Sequence, residues 1–292
     1  MKKVVGLGAC VMDTLISCNT YPVEDTKMKA DNTFVSGGGP VGNALVIMSK
    51  LGVKCFVLGA LADDNASEYL INDFNRYNVD TSYIYREKCT SSFTSYILLN
   101  DKNNTRTCVF DRGTVSDEPS NLNFSVLDDA DVLHLDGNYL NCAIEAAKYA
   151  KSRGVKVSLD AGGLYPGIER LLPYVDLLIP SAEFAMGITK TTTIVDAINV
   201  LSKKYNPEIL VVTDGVNGGY FFNGQNAIHY DSIKVNAVDT NGAGDTFHGA
   251  FVVAYCDGKS VEDCCNFASK VAAYKCQNKG VRTFDLNKDM IG

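Results

Sequence analysis

The sequence has 292 residues, 46% of them hydrophobic, which is enough for one large α/β domain or two small ones with a substantial core. Its 27 Lys and Arg residues against 34 Asp and Glu residues give a net charge of -7, which offers no electrostatic reason for binding nucleic acid or an anionic membrane. No apolar run approaches the roughly 20 residues that span a bilayer. We therefore expect a globular protein of the cytoplasm.

The N-terminal segment and the cysteines each have two interpretations. Lys2 and Lys3 precede an apolar run that imitates a signal peptide, but Asp13 ends the run and no cleavage pattern follows. We interpret this run as a buried first strand. The ten cysteines include no C-x-x-C pair and have no histidine at metal-site spacing, so reduced thiols are expected rather than disulfides or a zinc site.

Short apolar runs rich in β-branched residues alternate with helical patterns along the chain. The runs predict buried strands at residues 4–8, 55–59, 132–135, 155–159, 177–179 and 209–212. Apolar residues at three- and four-residue steps predict helices at residues 42–50, 66–76, 142–152, 193–205 and 261–275. This alternation is typical of an α/β protein with a doubly wound, mostly parallel central sheet and helices on both of its faces.

Residues 14–36 and 91–112 break the alternation. Both have strand-like periodicity with polar interruptions, and the second contains turn-forming residues at 100–104 that predict a hairpin. We expect the two stretches to pair as a small β-sheet lid on a core formed by residues 1–13, 37–90 and 113–292. A static extension or a dimer contact is the alternative interpretation of this sheet.

The strongest chemical signal is the segment DTNGAGDTFHGAF at residues 239–251, which leads into an apolar helical run. Glycines at 242 and 244 leave room for a phosphate, and the helix directs its free N–H groups at that phosphate. Asp245 can accept the proton of an attacking hydroxyl, and the helix terminus is expected to lower its pKa and keep it ionised. The glycines and Asp245 alone would favour an ordinary helix with an acidic first turn.

The whole segment is more specific, because it resembles the second signature of the ribokinase-like (PfkB-type) carbohydrate kinases, D-T-x-G-A-G-D-x-F-x-G-A-F, and matches it throughout. The resemblance implies a ribokinase-like fold. It further implies that Asp245 is the catalytic base and that Gly242, Ala243 and Gly244 form the anion hole for the transferred phosphoryl group.

An earlier segment, GGGPVGNA at residues 37–44, precedes an apolar helix and by itself could be an ordinary glycine turn. It resembles the first signature of the same family. The resemblance implies that Gly38 and Gly39 let a sugar hydroxyl approach the backbone and that Asn43 holds substrate hydroxyls. Asn43 stands one position later than in the tightest form of that pattern.

Two carboxylates follow predicted strands. Asp13 comes after the first strand, where an α/β sheet presents its ligand-binding edge, although a solvated turn would also explain it. Asp136 follows the strand at 132–135 in the same way. The family resemblance implies that Asp13 accepts hydrogen bonds from sugar hydroxyls and that Asp136 makes a further polar contact with the substrate.

A third segment resembles the part of the family's sequence that binds the nucleotide. Thr213, Gly215 and Gly218 match the T-x-G-x-x-G segment with which the family lines ATP. The family's N-x-x-E element, associated with magnesium and phosphate, is imperfect here because PSAE at residues 180–183 has Ser for Asn and Glu one position early. The resemblance implies ATP and Mg²⁺ as cofactors, Glu183 as a metal-linked residue, and K⁺ as a further monovalent cation.

The motifs occur in the family's order over nearly the whole chain. They imply transfer of the γ-phosphoryl group of ATP to a hydroxymethyl group of a small sugar of the ribose or ketohexose class. Residues 21–25 most resemble ketohexokinase-type members. The alternatives are a nucleoside kinase of the same family and a noncatalytic sugar-sensing homologue, and retention of Asp245 argues against the latter. Lid strands in this family often pair between subunits, so a homodimer through the lid is expected.

Overall fold

The computed structural model describes residues 1–100, 102–103 and 105–290, so the predicted turn at 100–104 lies partly outside the described residues. The strands, in chain order, are β1 (Lys3–Leu7), β2 (Val11–Cys18), β3 (Asn32–Gly38), β4 (Lys54–Ala62), β5 (Val79–Glu87), β6 (Thr94–Asn100), β7 (Thr105–Asp111), β8 (Val132–Leu135), β9 (Lys156–Ala161), β10 (Leu177–Pro180), β11 (Ile209–Thr213), β12 (Gly219–Phe222) and β13 (Ala227–Tyr230). The α-helices are α1 (Pro40–Lys50), α2 (Asn65–Arg76), α3 (Leu140–Ser152), α4 (Ala182–Thr189), α5 (Ile194–Tyr205), α6 (Ala243–Cys256) and α7 (Val261–Cys276).

The main sheet has nine strands in the order β13-β12-β11-β10-β9-β8-β1-β4-β5. The strands from β11 to β5 run parallel, while β12 and β13 add an antiparallel edge. Because successive strand residues point to opposite faces, Val4 packs in a buried cluster with α1, α6 and α7, and Val5 in another with α3, α4 and α5. The prediction of a doubly wound, mostly parallel sheet is confirmed.

The second sheet has four strands in the order β3-β2-β6-β7. Strand β2 pairs antiparallel with β3 and parallel with β6, so the two stretches that interrupt the alternation do pair with each other. Strand β2 already begins at Val11 and β3 continues to Gly38, so Asp13 and Gly38 lie on this smaller sheet. The junction between the two sheets therefore carries residues of the acceptor motif.

The entry into α1 depends on Gly39. Its φ is +87°, and a Cβ atom there would lie 2.1 Å from the carbonyl oxygen of Ala9. Glycine alone adopts this turn without strain, and Pro40 then supplies the fixed backbone angle favoured at the first helical position. The chain passes from β3 into α1 within one residue, which places Asn43 in the first turn of the helix.

Two further features concern the whole chain. All ten cysteines are free thiols, as the sequence predicts. Within residues 1–100, 102–103 and 105–290, no helix combines the length and the apolar character needed to cross a membrane.

Candidate active site

The two glycine-rich signatures meet in space. Asn43, in the first turn of α1, donates from Nδ2 to Asp245 Oδ2 at 2.7 Å, although the two residues are 202 positions apart in sequence. Helices α1 and α6 pack side by side over the same face of the main sheet, which brings their first turns together. The contact joins the residue expected to hold the acceptor to the residue expected to accept its proton.

Asp245 has an unusual titration. Burial, together with the negative charge of Asp136, raises its pKa to about 6, against the opposing effects of the hydrogen bond from Asn43 and the charge of Arg282. The expectation of a lowered pKa at the helix terminus is wrong, because loss of solvation outweighs the helix dipole here. A higher pKa makes the ionised carboxylate a stronger base while leaving most of it ionised at neutral pH.

The three residues of the expected anion hole open α6. Gly242 has a φ of +71° and no side chain caps the helix. The Ala243 N–H donates to the carbonyl oxygen of Thr240 at 3.3 Å, which leaves the N–H groups of Gly242 and Gly244 as the donors available to an anion. A Cβ atom at Gly242 would lie 2.5 Å from Val281 Cγ1, whereas one at Gly244 would meet nothing within 4 Å. The first glycine is therefore required by the turn and by packing, while the second, which follows Ala243, faces open space where a phosphoryl group fits.

A buried ammonium group fixes the turn before α6. Lys275 is fully buried, donates from Nζ to the carbonyl oxygen of Asp239 at 2.7 Å and lies 3.2 Å from its Oδ2. The Asp239 carboxylate also accepts from the backbone N–H groups of Asn241 and Gly280, each at 2.9 Å. These bonds tie the glycine-rich turn to the segment that follows α7.

Asp13 has one satisfied and one open oxygen. Ser95 donates to its Oδ1 at 2.6 Å, and no described residue donates to Oδ2. A Cβ atom at Gly38 would lie 1.9 Å from Oδ2, so glycine at this position makes room for the carboxylate itself. Burial raises the pKa of Asp13, and Ser95 and Arg282 act against this rise. An unsatisfied, partly buried acceptor of this kind suits a hydroxyl donor from a ligand.

Both carboxylate oxygens of Asp136 accept hydrogen bonds from the protein itself. Its Oδ2 accepts from the backbone N–H groups of Ala9 at 2.8 Å and Val41 at 3.3 Å, and its Oδ1 accepts from the backbone and side-chain nitrogens of Asn138 at 3.0 and 3.1 Å. The carboxylate thus links the end of β1 to the start of α1. Its direct contact with substrate stays a prediction.

A buried polar pair lies beneath the site. Asp160 on β9 lies 3.2 Å from Nε2 of His248 on α6. Burial raises the pKa of Asp160 well above its usual value, with added repulsion from Asp245 and Asp136, and burial lowers the pKa of His248 well below its usual value. Burial therefore disfavours the charged form of both side chains.

The residues predicted for the nucleotide lie along the same carboxyl edge of the sheet. Thr213 ends β11 and bridges to Ser181, which caps α4, and Glu183 is exposed in the first turn of that helix. Gly215 faces open space, but a Cβ atom at Gly218 would lie 2.0 Å from the carbonyl oxygen of Tyr230. Strand β13 therefore explains Gly218 without a ligand. No contact among the described residues joins this group to the pair formed by Asn43 and Asp245.

Two residues of the site escape the sequence analysis. Asp160 lies near the carboxyl end of β9, and the rule that singles out Asp136 after its strand would also have found it. Arg282 belongs to no recognisable motif, yet it donates from Nε to Asn43 Oδ1 at 2.8 Å. Its only signal is a single arginine within a mixed C-terminal segment.

Few side chains near the site could hold a metal ion. Among the described residues, no three His, Cys, Asp or Glu side chains form a group that could hold one. Magnesium commonly takes one or two carboxylates and completes its shell with phosphate oxygens and water. The exposed carboxylate of Glu183 near the carboxyl edge fits a phosphate-bound ion of this kind and does not fit an ion caged by protein alone.

A buried carboxylate at an uncapped helix terminus, on the carboxyl edge of a doubly wound sheet, is suited to phosphoryl transfer. The family model described as "pfkB family carbohydrate kinase" matches residues 1–288, and the chain belongs to this family.

The chain aligns with its relatives over almost their full lengths. The chain is 25% identical to a ribokinase of Bacillus subtilis over 277 residues, covering 94% of this chain and 92% of the relative. It is 24% identical to a ketohexokinase of Mus musculus over 297 residues, covering 97% and 98%. The solved Arabidopsis thaliana ribokinase complexed with ribose and ATP superposes with a TM-score of 0.82 at 25% identity, covering 96% of this chain and 94% of that one.

Proposed function

We propose that this protein transfers the γ-phosphoryl group of ATP to a hydroxymethyl group of a small sugar of the ribose or ketohexose class. One observation carries the proposal. The 2.7 Å hydrogen bond between Asn43 and Asp245 joins the acceptor signature to the base, next to a helix terminus open to an anion. The relatives named ribokinase and ketohexokinase support the choice of sugar class.

The reaction follows from the positions of the side chains. Asp13 and Asn43 hold the sugar so that its hydroxymethyl oxygen faces the γ-phosphorus, and Asp245 accepts the hydroxyl proton. A bond forms between that oxygen and the γ-phosphorus, the bond from the γ-phosphorus to the bridging oxygen breaks, and ADP leaves. The turn formed by Gly242, Ala243 and Gly244 stabilises the negative charge on the transferring oxygens. The N–H groups of Gly242 and Gly244 are its donors, because the Ala243 N–H donates to the Thr240 carbonyl oxygen.

The nucleotide is proposed to lie along the carboxyl edge at Thr213, Gly215 and Gly218. Glu183 is the side chain proposed to hold magnesium, in part through water, and the ion would neutralise charge on the β- and γ-phosphates. Activation by K⁺ stays a prediction. The fixed ammonium of Lys275 at Asp239 already supplies one positive charge to the same turn.

A coupled assay of ADP release over pentoses, ketohexoses and nucleosides tests the function. We expect the highest kcat/KM for a pentose or ketohexose. A nucleoside as the best acceptor would establish the nucleoside kinase alternative. Tight sugar binding without ADP release, with ATP and Mg²⁺ present, would establish a sugar sensor instead.

The pH dependence of turnover is a further expectation. Since burial raises the pKa of Asp245 to about 6, and only the ionised carboxylate accepts a proton, kcat/KM should fall as the pH drops through about 6. At pH 5 roughly a tenth of the base remains ionised. Steady-state kinetics between pH 4.5 and 9, with circular dichroism to establish folding at each pH, measure this limb. A flat profile down to pH 5 would contradict the assignment of Asp245.

We further propose that residues 14–36 and 91–112 act as a lid on the core formed by the remaining ranges, and that two copies of the chain pair through the lid. Three exposed apolar side chains, Val35 on β3, Tyr96 on β6 and Val109 on β7, lie in one row on one face of the smaller sheet, with Thr14 of β2 between Val35 and Tyr96. Their exposed fractions are 43%, 54% and 66%. Exposed apolar side chains grouped on one face favour association with a second copy.

Charge placed on this row should abolish the dimer. The double variant Tyr96→Glu with Val109→Glu is expected to elute as a monomer in light-scattering chromatography at concentrations where the wild type is a dimer, because the buried carboxylates would lack partners. The control is Val195→Glu on α5, whose side chain is also exposed but lies outside the lid. A wild-type monomer, or an unchanged dimer in the double variant, would contradict the proposed pairing.

A further inference from the structure

Arg282 is a buried arginine in the segment that follows α7. It is 1% exposed, and its guanidinium group reaches three oxygen acceptors. Nε donates to Asn43 Oδ1 at 2.8 Å, Nη1 to Asp73 Oδ2 at 2.6 Å, and Nη2 to the Gly38 carbonyl at 2.9 Å. The ring of Phe74 lies 5.0 Å from Cζ. No step of the proposed reaction uses this residue.

Stability alone does not explain a cation at this place. Removing an ion pair from water costs several kcal/mol per ion, and apolar replacements of buried pairs are often neutral or stabilising. Asp73 balances the charge of Arg282 on one side only. The other two bonds go to Asn43 and Gly38, which both belong to the acceptor signature, so the contacts point to a role in the site.

The bond to Asn43 fixes the orientation of its amide. An amide side chain presents an oxygen acceptor on one side and an NH₂ donor on the other, whereas guanidinium only donates. Arg282 therefore requires the oxygen of Asn43 on its own side. The NH₂ group is left facing Asp245, where it meets the carboxylate at 2.7 Å. A reversed amide would lose both bonds.

The guanidinium group also explains two glycines of the first signature. A Cβ atom at Gly37 would lie 2.1 Å from Nη1 of Arg282, and one at Gly42 would lie 2.7 Å from Nη2. Both distances are far below van der Waals contact. The spacing of this signature, with Asn43 one position later than in the tightest form, thus coincides with glycines that make room for the arginine.

The positive charge of Arg282 and the hydrogen bond from Asn43 both lower the pKa of Asp245, against the effect of burial. The same charge also lowers the pKa of Asp13. Asp136 adds negative charge to the same region and raises the pKa of Asp245. A fixed cation among these carboxylates favours the ionised form of the base.

We propose that Arg282 is a positioning residue, which locks the Asn43 amide so that its NH₂ group holds the Asp245 carboxylate in place for the acceptor hydroxyl. The inference rests on the proposed function for its kinetic consequences. Its geometric part concerns the folded protein alone.

The test compares the wild type with Arg282→Gln and Arg282→Lys, using the sugar with the highest kcat/KM. Arg282→Gln is expected to lower kcat by about 10- to 100-fold, the typical effect of a misplaced reacting group, with the KM for ATP unchanged. The acid limb of its pH profile, which is the fall in kcat/KM at low pH, should also move to higher pH. Arg282→Lys keeps the charge without the planar fork, so its limb should stay near that of the wild type while kcat falls. Wild-type kcat and an unmoved limb in folded Arg282→Gln would overturn the proposal.

Two further variants separate positioning from stability. Lys50 donates from Nζ to the carbonyl oxygen of Arg282 at 2.6 Å and also to that of Phe284, so it anchors the same segment without touching Asn43. Lys50→Met is expected to lower the melting temperature and leave the acid limb in place. In an Asn43→Ala background, Arg282→Gln should lower kcat little further. Full additivity of the two effects, or a moved limb in Lys50→Met, would contradict action through Asn43.

A titration without substrate completes the test. If Arg282→Gln does not fold, the pair Asp73→Asn with Arg282→Met avoids an unpaired buried carboxylate and is compared with Asp73→Asn alone. Carboxyl carbon NMR of Asp245 is expected to give a higher titration midpoint when the arginine is lost. Equal titration midpoints with and without the arginine would contradict the inference. A raised midpoint in a protein that phosphorylates no sugar instead refutes the proposed function and leaves the inference intact.

Discussion

Replacing Asp245 by Asn is expected to lower kcat by about 10²–10⁴-fold, the usual contribution of a positioned acid or base. The amide keeps the shape of the carboxylate and can still accept from Asn43, but it cannot take the proton of the acceptor hydroxyl. Nucleotide binding should be preserved. Turnover and ATP affinity measured on the purified variant test this, and near-normal kcat would remove Asp245 from the mechanism.

The same variant should be more stable than the wild type above pH 6. The pKa of Asp245 is raised to about 6 in the folded protein from 3.8, so the folded protein binds the proton more tightly than the unfolded chain does. The stability that this proton contributes is complete below the unfolded pKa and is lost as the pH rises through about 6. Asn does not titrate, so the difference in unfolding free energy should be greatest near pH 8 and vanish toward pH 4. Denaturant unfolding at the two pH values measures it, and a loss of stability at pH 8 would contradict the burial effect.

Replacing Asp13 by Ala is expected to weaken sugar binding. The open Oδ2 of Asp13 is the acceptor proposed for a sugar hydroxyl, and a hydrogen bond to a charged group contributes roughly 1.5–3 kcal/mol. The dissociation constant should therefore rise by about 10- to 150-fold. Calorimetric titration with the sugar measures the change, and affinity for ATP in the absence of sugar should not change.

A matched control lies on the neighbouring strand. Ser95→Ala removes the donor to Asp13 Oδ1 and leaves the carboxylate in the site, so its effect on sugar affinity should be much smaller. An unchanged dissociation constant in Asp13→Ala, or equal losses in both variants, would mean that Asp13 does not bind the sugar directly.

The sequence predicts the centre of the fold better than its edges. The strands from β8 to β11 are buried on both faces and are mostly apolar, which is why alternation with helices reveals them. Strands β5, β12 and β13, at the two sides of the sheet, include partly exposed residues, and α4 is short, so none of the four is predicted.

The sequence likewise predicts some features of the candidate site and misses others. Local sequence predicts the glycine-rich turn before α6, because a positive φ and an open helix terminus are local properties. It does not predict the pKa of Asp245, which depends on burial and on Asp136, a residue from another part of the chain. Arg282 is missed for the same reason, since its partners Asn43 and Asp73 are brought to it only by the complete fold.

The strand order has a consequence for biosynthesis. Strands β8 to β13 join one side of the main sheet in the order in which a ribosome releases them, so this half can grow strand by strand. Helix α1 is different, because α6, which packs against it, is synthesised near the end of the chain. Until α6 emerges, Ile47, which lies against Gly249 of α6, remains uncovered on a nascent chain whose acceptor segment is already complete. The unfinished polypeptide is therefore most prone to aggregation just before α6 is synthesised, which is the stage at which a chaperone would engage it.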